Sequence, residues 1–451
     1  MSESVTYPSQ LARVPVKALR LVVTRGPDSG LSFDAAREQV AVGTADGNDL
    51  VLADPTVSRY HLEIERRADR ILARDLGSTN GTLIGPVALE QQSAFVAIGA
   101  VLDLGDSSLR LEDGGLMLLE YGLDEQLGRI RGRSPAMKKL MTAVGKLATQ
   151  EVAVLVLGES GTGKELFARA IHECGRRCDK PFVTVDCGAL SPTLFASELF
   201  GHERGAFTGA ERQHRGAFEQ ASGGTLFLDE VGELPPPIQS ALLGAIERRA
   251  IRRLGGNEEI PVDVRLVCAT NRDLRGEVNA GRFRLDLYYR LAVVLLTVPP
   301  LRERSKDIPL LVEHFLREAG HAGSVTEVFS AAAMAELQAQ AWPGNVRELR
   351  NAVEARLALG SDLSLHAAAP SGHRSDQAGP AAAAGADALE KSYREARARA
   401  IADFERAYLT RLLAAAGGNV RQAARLAKMD RTYLVDLLRR HDLRGDGQTT
   451  K

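Results

Sequence analysis

The sequence predicts three successive folds on one chain: an all-β sandwich, a parallel α/β domain and a small all-α domain. Three observations carry this. Short strand-like runs crowd the first quarter. Apolar runs then alternate with helical stretches through the middle. Only helical spacing remains near the end.

The 451 residues exceed one ordinary domain. With 44% hydrophobic and 25% charged residues the chain is globular and can bury real cores. Its net charge of −1 attracts no polyanion, so contact with nucleic acid must rest on local charge. No apolar run reaches membrane-spanning length, and "MSESVTYPSQ" lacks the pattern of a signal peptide. A cytoplasmic protein without membrane contact is expected. The 4 cysteines make no disulfide framework, and Cys174 and Cys178 lack a second ligand pair at zinc spacing.

Residues 18–112 carry "LRLVV", "QVAVG", "DLVLA", "YHLEIE", "RILARDL", "VLDLG" and "SLRLE", separated by Gly, Asp and Asn, which predicts a β-sandwich. Residues 123–360 place "VAVLVLG", "PFVTVDC", "GTLFLDE", "VRLVCATN" and "VVLLTV" between helical segments, the alternation of a doubly wound parallel sheet. Residues 361–388, rich in Ala, Gly, Pro and Ser, read as a flexible linker. Residues 389–445 are helical again.

The central chemistry begins at "GESGTGKE": Gly158, Glu159, Ser160, Gly161, Thr162, Gly163, Lys164 and Glu165. Strand, glycine loop, lysine and helix in that order let backbone N–H groups curl round a phosphate, with Lys164 on the outer phosphates. Glu165 stands where a metal-binding Ser or Thr is usual, so a Mg²⁺ ion accompanying ATP would lean on other ligands. "GGTLFLDE" ends a strand in Asp229 and Glu230. Paired carboxylates there suit a cation and a proton transfer: Asp229 holding Mg²⁺ through water, Glu230 polarising the attacking water. Another strand ends in Thr270 and Asn271, polar tips placed to sense a γ-phosphate. In "RFRLDLYYRL", Arg284 and Arg290 are either a solvated basic face or fingers reaching a neighbouring subunit's phosphate. In "WPGNVREL", Arg347 opens a helix and would close on the nucleotide.

Taken together, "GESGTGKE", "GHERGAFTGA", "GGTLFLDE", "ATN", "FRLDLYYRL" and "WPGNVREL" resemble the AAA+ domain of bacterial enhancer-binding proteins, the activators of sigma-54 RNA polymerase, over residues 131–353. The resemblance implies a P-loop domain with a helical lid and a ring oligomer, expected to be a hexamer. Its active site would lie between subunits, with Asn271 as first sensor, Arg284 and Arg290 acting in trans, and Arg347 as second sensor. Asp186 stands where this family usually has Asn; beside Glu230 it would raise one carboxyl pKa.

The same resemblance assigns Gly205, Ala206, Phe207, Thr208, Gly209 and Ala210 to contact with sigma-54. Glycines at both ends let such a loop fold or extend, and an aromatic at its tip suits a protein partner. The second "RGAF", with Phe218, reads as core.

"DPTVSRYHLEI" and "DLGSTNGT" resemble a forkhead-associated (FHA) domain. That resemblance places Ser58, Arg59, Thr79 and Asn80 around a phosphothreonine, with His61 buttressing the loops, and implies a phosphorylated protein or Ser/Thr kinase as partner. Thr44 replaces a frequent Arg of that family. Nothing ahead of the α/β domain reads as a receiver domain.

The tail breaks at Gly417-Gly418 and near Met429-Asp430, leaving two short helices, a helix-turn-helix or else a dimerisation hairpin. Residues 417–445 hold 7 Lys/Arg against 3 Asp. Similarity to Fis-type domains favours upstream enhancer DNA, with Arg431, Thr432 and Tyr433 meeting bases and Arg421, Arg439 and Arg440 meeting phosphates. A general AAA+ remodeller and a non-catalytic phosphopeptide adaptor are the rival readings. The "GAFTGA" loop and DNA-binding tail oppose the first; intact Lys164, Asp229 and Glu230 oppose the second.

Overall fold

The computed structural model describes residues 11–359 apart from 36–38, 68–69, 90–91, 189–190 and 322, together with Leu409, Val420, Gln422 and Leu438. The chain separates into two compact units, Met1–Ala367 and Ala368–Lys451. In the second unit the 4 described residues are helical, with Leu409 and Leu438 buried. Residues 361–388, expected to form a linker, and Arg421, Arg431, Thr432, Tyr433, Arg439 and Arg440, expected to meet DNA, lie outside the described residues.

The N-terminal strands build a sandwich of two sheets. In one, Leu11–Arg25 and Ser107–Gly122 pair at the centre; in the other, Gln39–Gly43, Leu62–Arg67 and Arg70–Asp75 do so. Alternate residues point inward and are buried: Leu19, Leu21 and Val23 on one strand, Leu62 and Ile64 on another, Ile71 and Ala73 on a third. The two long strands continue past the sandwich as a ribbon whose last pair is Leu11 with Gly122, so the β structure runs beyond residues 18 and 112 at both ends.

The central sheet is parallel, in the order Phe182–Asp186, Thr225–Asp229, Arg265–Thr270, Val154–Leu157, Val294–Thr297. Its strands are continuous apolar runs because both faces are covered. Leu155, Leu226, Leu228 and Cys268 face one core; Val154, Val156, Phe227, Val267 and Ala269 face the other. Every strand of this sheet therefore delivers its C-terminal end, and the loop after it, to one edge, where α/β proteins bind ligands. A helical lid follows. Ile308–Glu318, Ala331–Ala339 and Asn345–Leu359 enclose a small core around Trp342, whose indole N–H donates to Leu337 O at 2.7 Å. The sandwich rests on Leu274–Asn279 and Leu285–Leu291, where Tyr60 and Leu76 enter the α/β core. No helix among the described residues is long and apolar enough to cross a membrane.

Candidate functional site

The glycine loop leaves strand Val154–Leu157 and ends at helix Lys164–Glu173. Gly161 and Gly163 have φ of +78° and +98°, the left-handed region that favours glycine. A second constraint acts on Gly161: a Cβ there would lie 2.2 Å from Gly344 O, in the lid turn. Gly161→Ala is accordingly expected to combine backbone strain of about 1–3 kcal/mol with displacement of the lid. Nucleotide titration and thermal melting check this; unchanged affinity would show that the close approach is dispensable.

Lys164 is buried, and its ammonium lies 3.1 Å from Gly158 O and 3.3 Å from Glu230 Oε1. The phosphate loop, strand end and lysine are thus one cluster, as the motif spacing implied. Glu230 has φ +51°. A non-glycine residue in that region stores strain, which persists where surroundings hold a functional side chain in place. Here Lys164 holds one carboxylate oxygen, and the Asn271 backbone N–H donates to the other at 3.0 Å. Asn271 therefore reaches Glu230 through its main chain.

Asp229 ends the strand before Glu230, and its Oδ1 accepts the Glu230 N–H at 3.0 Å. Burial, and then the Glu230 charge, push its carboxyl above the usual range. Asp186 pairs in register with Asp229 across the parallel strands. Its own Oδ1 accepts the Gly188 N–H at 2.9 Å, and its charge is the last of the causes acting on Asp229. The carboxyl that rises is thus Asp229, and burial rather than Asp186 leads the effect.

The lid is tied to the loop by groups that motif reading passed over. Asn345, buried and at φ +52°, donates from Nδ2 to Ser160 O at 3.0 Å and to Glu159 Oε2 at 3.1 Å. Arg302 grips Glu159 with two bonds, at 2.8 and 2.6 Å, which hold that carboxyl below its usual range. Arg304 is buried and donates to Thr162 O at 3.0 Å; burial lowers its guanidinium to about 10, still charged at neutral pH. Arg347 donates to Ser160 Oγ at 3.2 Å, where a second sensor would stand.

Arg284 caps helix Leu285–Leu291 and bonds to Asp286 at 2.7 Å and Ser240 at 3.3 Å. Arg290, in the same helix, pairs with Glu247 at 3.6 Å. Within one chain these arginines are engaged away from Lys164 and Glu230.

The Gly205–Ala210 segment is a closed turn in which the Gly205 N–H donates to Ala210 O at 2.8 Å, with φ of +82° at Gly205 and +103° at Gly209. Its base is a β-bridge between His202 and His214. Phe207 is not free at the tip. It is half-buried, edge-on to the His202 ring at 5.0 Å between centroids. Phe218 is core, as its sequence suggests, stacked on Phe200 at 5.9 Å.

In the sandwich, Ser58 and Thr79 come together: the Thr79 N–H donates to Ser58 Oγ at 2.9 Å. Asn80 donates to Thr56 O at 2.7 Å, and Arg59 is exposed. His61 is fully buried; Nδ1 accepts the Ser58 N–H at 3.0 Å and Nε2 meets Gly81 O at 3.1 Å, so it joins both loops. Burial lowers its pKa and keeps it neutral.

Residues 130–297 match the family described as "Sigma-54 interaction domain" and residues 302–378 the "AAA+ ATPase lid domain". Residues 22–115 match "Inner membrane component of T3SS, cytoplasmic domain". Transcriptional regulatory protein GlrR of Escherichia coli (strain K12) is 42% identical over 435 residues, covering 95% of each chain. Among solved structures, NtrX from Brucella abortus in complex with ATP is 36% identical, covers 71% of this chain and 70% of its own, and has a TM-score of 0.49. The FHA domain of an Arabidopsis thaliana hypothetical protein is 30% identical over 26% of this chain and 93% of its own, with a TM-score of 0.21. Since the likeness to GlrR runs almost end to end and the ATPase motifs lie inside the matched segments, the chain belongs to the sigma-54-dependent transcriptional regulators, whose AAA+ domain is an ATPase.

Proposed function

We propose that the chain binds upstream enhancer DNA through residues 389–445, assembles into a ring, hydrolyses ATP between subunits and remodels the sigma-54 RNA polymerase holoenzyme from closed to open complex. The observation that carries this reading is the convergence of Lys164, Asp229 and Glu230 beside a lid-braced glycine loop, with Gly205–Ala210 closed into a separate turn.

Lys164 cannot give the same N–H to Glu230 and to a phosphate oxygen. Turning the lysine to a phosphate therefore frees one Glu230 oxygen to polarise water, while the Asn271 main chain keeps the other in place. Asp229 would hold Mg²⁺ through water; its half-buried carboxyl, raised in pKa by burial and the Glu230 charge, would gain from a cation. The ion would supply charge neutralisation at the phosphates. Arg284 and Arg290 would serve the neighbouring subunit's nucleotide and Arg347 the chain's own. The test is open-complex formation by sigma-54 holoenzyme on a promoter carrying the upstream site, with ATP against a non-hydrolysable analogue. Equal opening with both would refute coupling to hydrolysis.

For the sandwich, Ser58, Arg59, Thr79 and Asn80 line two loops that His61 joins, a set suited to phosphothreonine. A phosphothreonine peptide should bind the full chain, and Ser58→Ala with Asn80→Ala should weaken it by about tenfold or more, two charge-assisted bonds being lost. Thr44 in place of Arg keeps the starting affinity modest. Titration calorimetry decides. No preference for phosphorylated over plain peptide would leave the domain a scaffold.

A further inference from the structure

A loop that holds phosphates gathers N–H donors and positive charge, and a carboxylate in it works against that purpose. Glu159 is such a carboxylate, between Gly158 and Ser160. The motif's other acid, Glu165, pairs with Arg169 one turn along its helix. Cations surround the same loop. Lys164 lies 3.1 Å from Gly158 O and 3.5 Å from Glu159 O. Arg304 donates to Thr162 O at 3.0 Å and Arg347 to Ser160 Oγ at 3.2 Å. Arg302 makes a fourth. Both of its terminal nitrogens go to the Glu159 carboxylate, Nη1 to Oε2 and Nη2 to Oε1, in the fork that guanidinium and carboxylate form best. Asn345 Nδ2 adds a further bond at Oε2.

Stability does not account for this pair. The Glu159 and Arg302 side chains are 43% and 45% exposed, so water competes for both and their bond contributes little to the fold. Arg302 is also held beside the loop by other means. It belongs to Leu301–Asp307, and Asp307 accepts the N–H groups of Arg133 and Ser134, each at 2.7 Å, which fastens that segment to the α/β domain. What the carboxylate alters is charge. Without it four cations would face the phosphates; with it one of the four is cancelled within the loop itself.

We propose that Glu159 is a decoy anion: it occupies Arg302 and keeps that charge from the nucleotide, so that ADP is held loosely enough to leave. The decoy deepens the ATPase reading and rests on the glycine loop holding the phosphates. An uncancelled Arg302 would tighten the grip on diphosphate and triphosphate alike. Such uniform binding does nothing for the chemical step, and a diphosphate that stays blocks the next turnover.

The test uses the full chain, Mg²⁺ and a fluorescent ADP analogue. Charge and scaffold predict different signs. Glu159→Gln keeps the shape of the side chain and an acceptor oxygen but removes the charge. The analogue should then bind about tenfold tighter, and excess ATP should displace it about tenfold more slowly. Arg302→Gln leaves Glu159 uncancelled and should weaken binding about tenfold, while the double variant returns toward wild type. Added salt should narrow all of these differences. If the carboxylate is a brace, both single variants loosen the loop, binding weakens in both and the double variant is no better. That pattern, or no change in either single variant, in proteins that melt like wild type refutes the decoy. Lys164→Ala keeps the two readings apart. Undiminished ADP binding by that variant would overturn the phosphate-loop reading and the decoy together; loss of binding there, with weakening at both Glu159 and Arg302, overturns the decoy alone.

Discussion

Lys164→Ala should abolish nucleotide binding, whereas Glu230→Gln should bind ATP and hydrolyse it about 10²–10⁴ times more slowly. The two substitutions remove different things. Lys164 is the buried cation in the glycine loop, within 3.1 Å of Gly158 O; without it the phosphates lose their charge partner and Glu230 is left unpaired. Gln at 230 keeps an acceptor for the Asn271 N–H, so the left-handed turn survives. It cannot take up a proton from water. A fluorescent-nucleotide titration and a steady-state ATPase assay separate the two. Near-wild-type turnover by Glu230→Gln would move the base to another residue, with Asp186 and Asp229 the carboxylates at hand.

The second large effect is expected at the paired "RGAF" segments. Phe218→Ala removes a fully buried ring stacked on Phe200 and should cost about 3–5 kcal/mol of stability. Phe207→Ala removes a half-buried ring resting on His202, in a turn closed by its own backbone. It should leave folding, ATP hydrolysis and DNA binding nearly intact while abolishing sigma-54 capture, because truncating an aromatic anchor costs about 2 kcal/mol or more of a transient contact. Thermal melts and a sigma-54 pull-down with ADP and aluminium fluoride check both. An early melt with sigma-54 still captured would make Phe207 structural. Contact with sigma-54 would require the ring to leave His202.

The catalytic cluster was legible because its signals are local: a strand, a glycine loop and a lysine in fixed order, and acidic residues at the end of an apolar run. The lid braces were not. Asn345, Arg302 and Arg304 act on residues 142–186 positions away in sequence, and nothing near them says which carbonyl or carboxylate they will meet. Tyr60 shows the same limit. Alternation marks it as inward-facing, but Asn279 and Tyr288, on helices more than 200 residues later, help to bury it. Phe207 lies between Gly205 and Gly209, which in sequence leaves open both an exposed tip and a ring buried in its own turn. The His202 ring beneath it arrives only when the bridge to His214 folds the segment back. Glycine reports conformational freedom, not which surface the chain comes to rest on.

The bonds between lid and phosphate loop also carry a consequence for timing. Gly161 O accepts the N–H groups of both Val346 and Arg347, and Ser160 O accepts Asn345 Nδ2. Swinging the lid away exchanges these bonds for bonds to water, at about 0.5–1.5 kcal/mol each, since Ser160 is exposed and Gly161 only half-buried with the lid in place. Where release of spent nucleotide requires the lid to swing away, these few bonds at the start of helix Asn345–Leu359 add to the barrier that sets a subunit's dwell after hydrolysis.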